Sequence, residues 1–228
     1  MIRALIFDLD DTLYRERDFV ASGYRAVAEH LAAACGRPAR EIHRSMMATL
    51  AREGKRRVLP AVLERYPNPE IQVADLVAVY RRHKPVIRLF TGYAQLLKEL
   101  RAVYRLGIIT DGIPAVQRAK CAALGLEDAV DSILYTWEYG QQREKPHPYS
   151  FRLMLARLRV RPDEALFIGD SLEKDCRGAH RVGMRCVRVQ KPLIIWGVGC
   201  REAADVVVES LSQLPLVLRQ LEDRNEAA

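Results

Sequence analysis

Five short apolar runs recur along the chain, each rich in β-branched, aromatic or leucine side chains: Arg3–Phe7, Leu106–Ile109, Ile133–Leu134, Ala165–Ile168 and Met184–Val189. Between the later runs lie stretches with helical periodicity, at Gly92–Val103, Pro114–Leu124, Pro148–Leu158 and Leu172–Val182. Strands that alternate with helical stretches of about ten residues form a parallel sheet covered on both faces, joined by right-handed crossovers. The sequence therefore predicts an α/β core. Ala204–Val208 adds a late strand and Leu211–Leu221 a closing helix.

One segment breaks this rhythm. From about Arg15 to Arg88, apolar residues recur at helical spacing: Phe19, Val20, Tyr24, Val27, Leu31 and Cys35, then Ile42, Met46, Met47 and Leu50. Leu59, Val62, Leu63 and Tyr66 follow, then Leu76, Val77 and Tyr80. Breaks fall at Gly36-Arg37-Pro38, Gly54 and Pro67-Asn68-Pro69. This pattern predicts four amphipathic helices inserted after the first strand. The domains then run 1–14 and 89–228 for the core, and 15–88 for the helical insertion.

The chain has 228 residues, 49% of them hydrophobic and 29% charged, which excludes a disordered tail, a collagen and a small disulfide scaffold. No apolar run approaches the roughly 18–20 residues that span a bilayer. Pro192–Cys200 is the nearest. The start, MIRALIFDLDDT, lacks the longer apolar region of a signal peptide, so the expected location is the cytoplasm. The five cysteines are scattered without a CxxC pair, and they are expected to be reduced and mostly buried.

The net charge of +7 is concentrated. Between Tyr14 and Phe90 there are 15 Lys+Arg against 8 Asp+Glu, and the rest of the chain is balanced. No nucleic-acid motif or aromatic interleaving accompanies these charges. They read first as a solvated helical face, with electrostatic steering of a small anion as the alternative.

Three predicted strands end in polar residues: Asp8-Leu9-Asp10-Asp11-Thr12, Thr110-Asp111-Gly112, and Gly169-Asp170-Ser171 with Asp175 beyond. Ligands of open α/β sheets bind at the carboxyl ends of the strands, so these residues can converge. Glu144-Lys145-Pro146 supplies a cation. Asp8, Asp10 and Asp170 in one pocket repel unless a hard cation joins them, and carboxylates with water suit Mg²⁺. Mg²⁺ in turn favours a phosphate ligand. One carboxylate can attack phosphorus while another serves as acid and then base. Lys145 balances charge, and Thr110 with the backbone N–H groups of Asp111 and Gly112 can hold phosphoryl oxygens.

These elements, in this order, resemble the haloacid dehalogenase-like (HAD) hydrolase superfamily over nearly the whole chain. Its four motifs stand here as DLDDT at 8–12, Thr110 in GIITDG, Lys145 in EKPHP, and GDSLEKD at 169–175. The resemblance implies a Rossmann-like core with a helical C1 cap of subfamily I. It implies that Asp8 is the nucleophile and Asp10 the general acid/base. It implies that Mg²⁺ is held by Asp8, the backbone carbonyl of Asp10, and Asp170. Asp175 then lies near the metal, bound directly, through water or through Lys145. Family dehalogenases and phosphonate-cleaving members lack an acid at the position of Asp10, so its presence implies phosphoryl transfer from oxygen. Gln117, Lys120, Leu124-Gly125-Leu126 and KPHP are similar to a branch with glyceraldehyde-3-phosphate phosphatase, nucleotidase-like and phosphoglycolate-phosphatase-like members. Those residues are read as serving packing and turns.

The expected function is hydrolysis of a small phosphorylated metabolite through an aspartyl-phosphate, with the basic cap closing over the pocket. No nucleic-acid or membrane partner is expected, and the chain is expected to be a monomer or weak homodimer. Two alternatives stand beside it: a phosphotransferase or mutase with the same motifs, and a non-catalytic binding protein using the basic cap.

Overall fold

The computed structural model describes residues 1–190 and 204–226. The run Pro192–Cys200 lies outside them. The chain divides into two compact units, one of Met1–Arg15 with Arg88–Ala228 and one of Glu16–Ile87.

The first unit is built on six parallel strands: β1 (Ala4–Phe7), β2 (Arg105–Thr110), β3 (Ser132–Tyr135), β4 (Ala165–Gly169), β5 (Arg185–Val189) and β6 (Val206–Val208). Their order across the sheet is β3-β2-β1-β4-β5-β6. Strand β1 sits between β2 and β4, with Phe7 level with Ile108 on one side and Ile168 on the other. All four residues of β1 are fully buried, as a central strand with both faces covered requires. Each large side chain withdrawn from water there contributes about 1.5–3 kcal/mol.

In chain order with the second unit, which contributes the first four, helices α5 (Tyr93–Arg101), α6 (Pro114–Ala123), α7 (Pro148–Leu158), α8 (Arg177–His180) and α9 (Leu214–Glu226) belong to this unit. Helix α7 packs Phe151, Met154, Leu155 and Leu158 into a core with Ile6, Ile109, Leu134 and Phe167. Tyr93 of α5 accepts a hydrogen bond from the backbone N–H of Leu211 at 2.9 Å, tying α5 to the turn that leads into α9. The chain leaves after Tyr14 and returns at Phe90, whose N–H donates to the Leu13 carbonyl at 3.1 Å.

Two expectations are corrected here. Leu172–Val182 is not one regular helix. Leu172–Cys176 forms a single wide π turn, and α8 covers only Arg177–His180. Over a single five-residue turn, apolar spacing does not distinguish the two geometries. The cysteines are not all reduced: Cys176 and Cys186 form a disulfide with Cα atoms 5.2 Å apart. The crossover through α8 brings β5 back beside the π turn, a proximity that residue spacing alone does not announce. Cys35 and Cys121 are free thiols.

The second unit consists of α1 (Glu16–Cys35), α2 (Ala39–Glu53), α3 (Lys55–Arg65) and α4 (Val73–Arg82). Their apolar stripes meet around Val20, Tyr24, Val27, Leu31, Ile42, Met46, Val58, Val62 and Leu76. Gly36 and Gly54 take positive φ at the first two breaks. Part of the basic excess is paired on the surface, Lys55 with Glu16 at 2.7 Å and Arg57 with Glu64 at 2.6 Å. Among the described residues, no helix is long and apolar enough to cross a membrane.

Candidate active site

The strand order reverses direction between β1 and β4, where the chain first builds outward to β3 and then to β6. A crevice opens at the carboxyl end of a sheet at such a switch point. Asp8 directly follows β1, Asp170 directly follows β4, and Thr110 ends β2 on the other side of β1. The N–H of Asp8 donates to the Ile168 carbonyl at 2.8 Å and continues the ladder to the rim of the crevice.

Lys145 joins two of the carboxylates. Its Nζ donates to Asp8 Oδ1 and, at 2.8 Å, to Asp175 Oδ1. All three side chains are buried. Burial pushes the Asp8 carboxyl well above its ordinary range. Lys145 pulls it back, while Asp175 and Asp10 push it up again. Burial pulls the Lys145 ammonium down, but the charges of Asp175, Asp8 and Asp111 outweigh that and hold it above its ordinary value. A buried ammonium between two carboxylates thus stays charged.

The π turn aims Asp175. The N–H groups of Asp175 and Cys176 both donate to the Ser171 carbonyl, at 2.9 and 3.3 Å. This folds the Asp175 side chain back, so that its Oδ2 accepts from the Ser171 N–H at 3.0 Å. A side chain at Gly169 would collide with that carboxylate, and so the strand ends in glycine.

Asp10 is held by a separate set of groups. Lys120 Nζ donates to both of its oxygens, at 2.7 and 2.9 Å. The Tyr14 hydroxyl donates to Oδ1, and Gln117 Nε2 to Oδ2 at 3.3 Å. Leu9, between Asp8 and Asp10, is fully buried in the core.

The Thr110 hydroxyl is buried and has no hydrogen-bond partner among the described residues. A hydroxyl so placed suits a ligand oxygen. The Asp111 carboxylate, by contrast, is used internally. It accepts from the Thr136 hydroxyl at 2.8 Å, the Lys145 backbone N–H at 3.1 Å and Lys174 Nζ at 3.4 Å. Its side chain therefore orients the Lys145 loop. Gly112 has φ +122°, and a Cβ there would lie 2.8 Å from Gln117 Nε2. The same loop is anchored by Trp137, whose Nε1 donates to Glu144 at 3.0 Å.

The sequence matches the haloacid dehalogenase-like hydrolase family over residues 2–183. The chain belongs to this family. Among curated proteins, this HAD hydrolase is 30% identical over 200 residues to a glyceraldehyde 3-phosphate phosphatase of Methanopyrus kandleri, covering 84% of this chain and 85% of the relative. A protein of the same name from Methanocaldococcus jannaschii is 28% identical over 229 residues, covering 97% and 99%. Among solved structures, a HAD phosphatase from Thermococcus onnurineus superposes with a TM-score of 0.63 at 26% identity, covering 95% of this chain and 98% of that one.

Of the residues singled out from this HAD sequence, the structure brings Asp8, Lys145, Asp170 and Asp175 together. One carboxylate oxygen from each of Asp8, Asp170 and Asp175 lies within 4.8 Å of the others, a group that could hold a metal ion. The Asp10 carboxylate is not part of this group and lies instead on Lys120. The fit to a divalent cation rests on charge. Asp8 and Asp175 are buried and Asp10, Asp111 and Asp170 partly so; these five carboxylates stand against Lys120, Lys145 and Lys174, an excess of anions that suits a hard cation with oxygen ligands. Sequence reasoning gave Gln117 and Lys120 to packing and did not single out Tyr14. Gln117 and Lys120 lie three apart on the buried face of α6, a burial that their spacing alone does not reveal.

Proposed function

We propose that this hydrolase is a Mg²⁺-dependent phosphatase acting on a small phosphorylated metabolite through an aspartyl-phosphate. The observation that carries the reading is the gathering of Asp8, Asp170 and Asp175 around Lys145 at the sheet's switch point. Asp8 and Asp170 would hold Mg²⁺ with the backbone carbonyl of Asp10, and Asp175 would act beside them. The ion, when bound, neutralises phosphoryl charge.

In this reading an Asp8 oxygen bonds to phosphorus as the bond from phosphorus to the leaving oxygen breaks. Asp10 gives its proton to that oxygen. Asp10 then takes a proton from water, whose oxygen attacks phosphorus and releases Asp8 and inorganic phosphate. Lys145 keeps the Asp8 carboxylate oriented. The unpartnered Thr110 hydroxyl and the backbone N–H groups of Asp111 and Gly112 would hold phosphoryl oxygens. The helical unit Glu16–Ile87, with its basic excess, would serve as the cap that selects the substrate.

Glyceraldehyde 3-phosphate is the first substrate to try, since both of the relatives above carry that name. Phosphate release is measured with Mg²⁺ and with EDTA, on glyceraldehyde 3-phosphate, phosphoglycolate, sugar phosphates, nucleotides and an aryl phosphate. Release that needs Mg²⁺ and is lost in Asp8→Asn supports the reading. Equal release from Asp8→Asn overturns it.

A further inference from the structure

The Asp10 carboxylate receives four donor contacts within its own unit. Tyr14 and Lys120 reach Oδ1, and Lys120 and Gln117 reach Oδ2. Two carboxylate oxygens offer about four lone-pair sites, so this set nearly fills them. Surface aspartates are not held this way. Lys120 and Gln117 are each 4% exposed, and Tyr14 is fully buried. A buried lysine and glutamine on one helix face need a reason to be there, because an apolar pair would pack at lower desolvation cost.

Their origin in the chain adds to the argument. Lys120 and Gln117 lie on α6, the helix that follows Thr110, and Tyr14 lies four residues after Asp10. Gln117 Nε2 also donates to the Asp111 carbonyl, and it approaches Gly112 so closely that a side chain there would strike it. The loop carrying Thr110, Asp111 and Gly112 is thereby tied to the same carboxylate. One buried network sets the position of Asp10 and of the loop proposed to hold the phosphoryl oxygens.

We propose that Lys120, with Gln117 and Tyr14, is a positioning set that holds the Asp10 carboxylate at the angle from which it protonates the leaving oxygen. The Gln117 contact to Oδ2 is the longest of the four, so Oδ2 is the oxygen this set holds least tightly. In this assignment Lys120 acts through Asp10, whose two carboxylate oxygens its Nζ reaches. This inference rests on the reading of Asp10 as the general acid.

The test is a series of phosphomonoesters whose leaving groups run from nitrophenol to a simple alkyl alcohol. The quantity compared is kcat/KM, which covers only the steps up to departure of the alcohol. A poor leaving group needs its proton and a good one does not. General acid catalysis contributes typically 10²–10⁴-fold, so the wild type should depend weakly on leaving-group pKa and Asp10→Asn steeply. Lys120→Met should also become steep, losing at least about tenfold more on the alkyl ester than on the nitrophenyl ester. Gln117→Leu provides a second variant if Lys120→Met folds poorly. A merely structural role would lower all esters by the same factor. If Asp10→Asn is steep while both positioning variants run parallel to wild type, this inference is overturned and the reading of Asp10 stands. If Asp10→Asn itself runs parallel to wild type, the reading of Asp10 fails and the inference fails with it.

Discussion

Lys145 Nζ lies 2.8 Å from Asp175 Oδ1, with the two side chains 3% and 1% exposed. The pair joins the loop after β3 to the π turn after β4, two segments that the sequence separates by 30 residues. Removing one partner of an isolated buried ion pair costs about 3–5 kcal/mol, but Lys145 keeps Asp8, so losing Asp175 costs less than that. Asp175→Asn keeps the shape and removes the charge. Its urea unfolding midpoint should fall accordingly, with the slope unchanged. A midpoint equal to wild type would show that Asp175 is not holding Lys145.

Gly169 tests the same contact from the other side. The Cβ of Gly169→Ala would meet the Asp175 carboxylate, which cannot retreat without leaving the Ser171 N–H or Lys145. Overpacking of this kind costs about 1–3 kcal/mol. Because the displaced group also borders the cluster of Asp8 and Asp170, phosphate release should fall together with stability. A Gly169→Ala protein that unfolds at the wild-type midpoint and turns over normally would remove the steric argument.

Metal addition has a thermal signature independent of activity. A cation that binds the native cluster alone raises stability by mass action, about 2.7 kcal/mol at 100 times its dissociation constant. For a chain of this size that is a rise in Tm of roughly 5–10 °C. Calorimetry with Mg²⁺ and with EDTA reads it directly. Asp170→Asn should fold and lose most of the shift, because Asp170 contributes one of the three gathered oxygens. An undiminished shift in that variant would place the cation elsewhere.

Strand ends and loop motifs are legible in this chain because they are local. The apolar run before Asp8, the Thr110 that closes β2 and the glycine that closes β4 each declare themselves within a few residues. The hold on Asp10 is not local. Lys120 meets Asp10 across 110 positions, and a lysine three residues from a glutamine on a helix gives the same pattern whether it faces water or a carboxylate. The π turn at Leu172–Cys176 escapes for another reason. Its apolar spacing suits a regular helix, and what sets the turn apart is that the N–H groups of Asp175 and Cys176 both reach the Ser171 carbonyl. Asp111 was legible as part of the site, but the inward use of its carboxylate depends on Thr136 and Lys145, residues far along the chain.

The free thiol of Cys121 gives a prediction in the alkaline range. It is fully buried on α6, and burial, ahead of the charges of Asp10 and Glu127, pushes it up to about 12 from an ordinary 9.0, against the lowering pull of its Tyr135 hydrogen bond. Folding therefore favours the protonated thiol. Below about pH 9 the thiol is protonated in both states and its contribution to stability is fully present. As the pH rises from about 9 towards about 12, only the unfolded chain releases the proton, and that contribution is lost. Cys121→Ala should flatten the fall of stability across this window. Tyr135, also held above its ordinary value, leaves a residual slope. At pH 9, iodoacetamide should label half-buried Cys35 in the native protein and reach Cys121 only in urea, as read by peptide mass. Labelling of native Cys121 at the rate of Cys35 would mean that the thiol is neither buried nor raised.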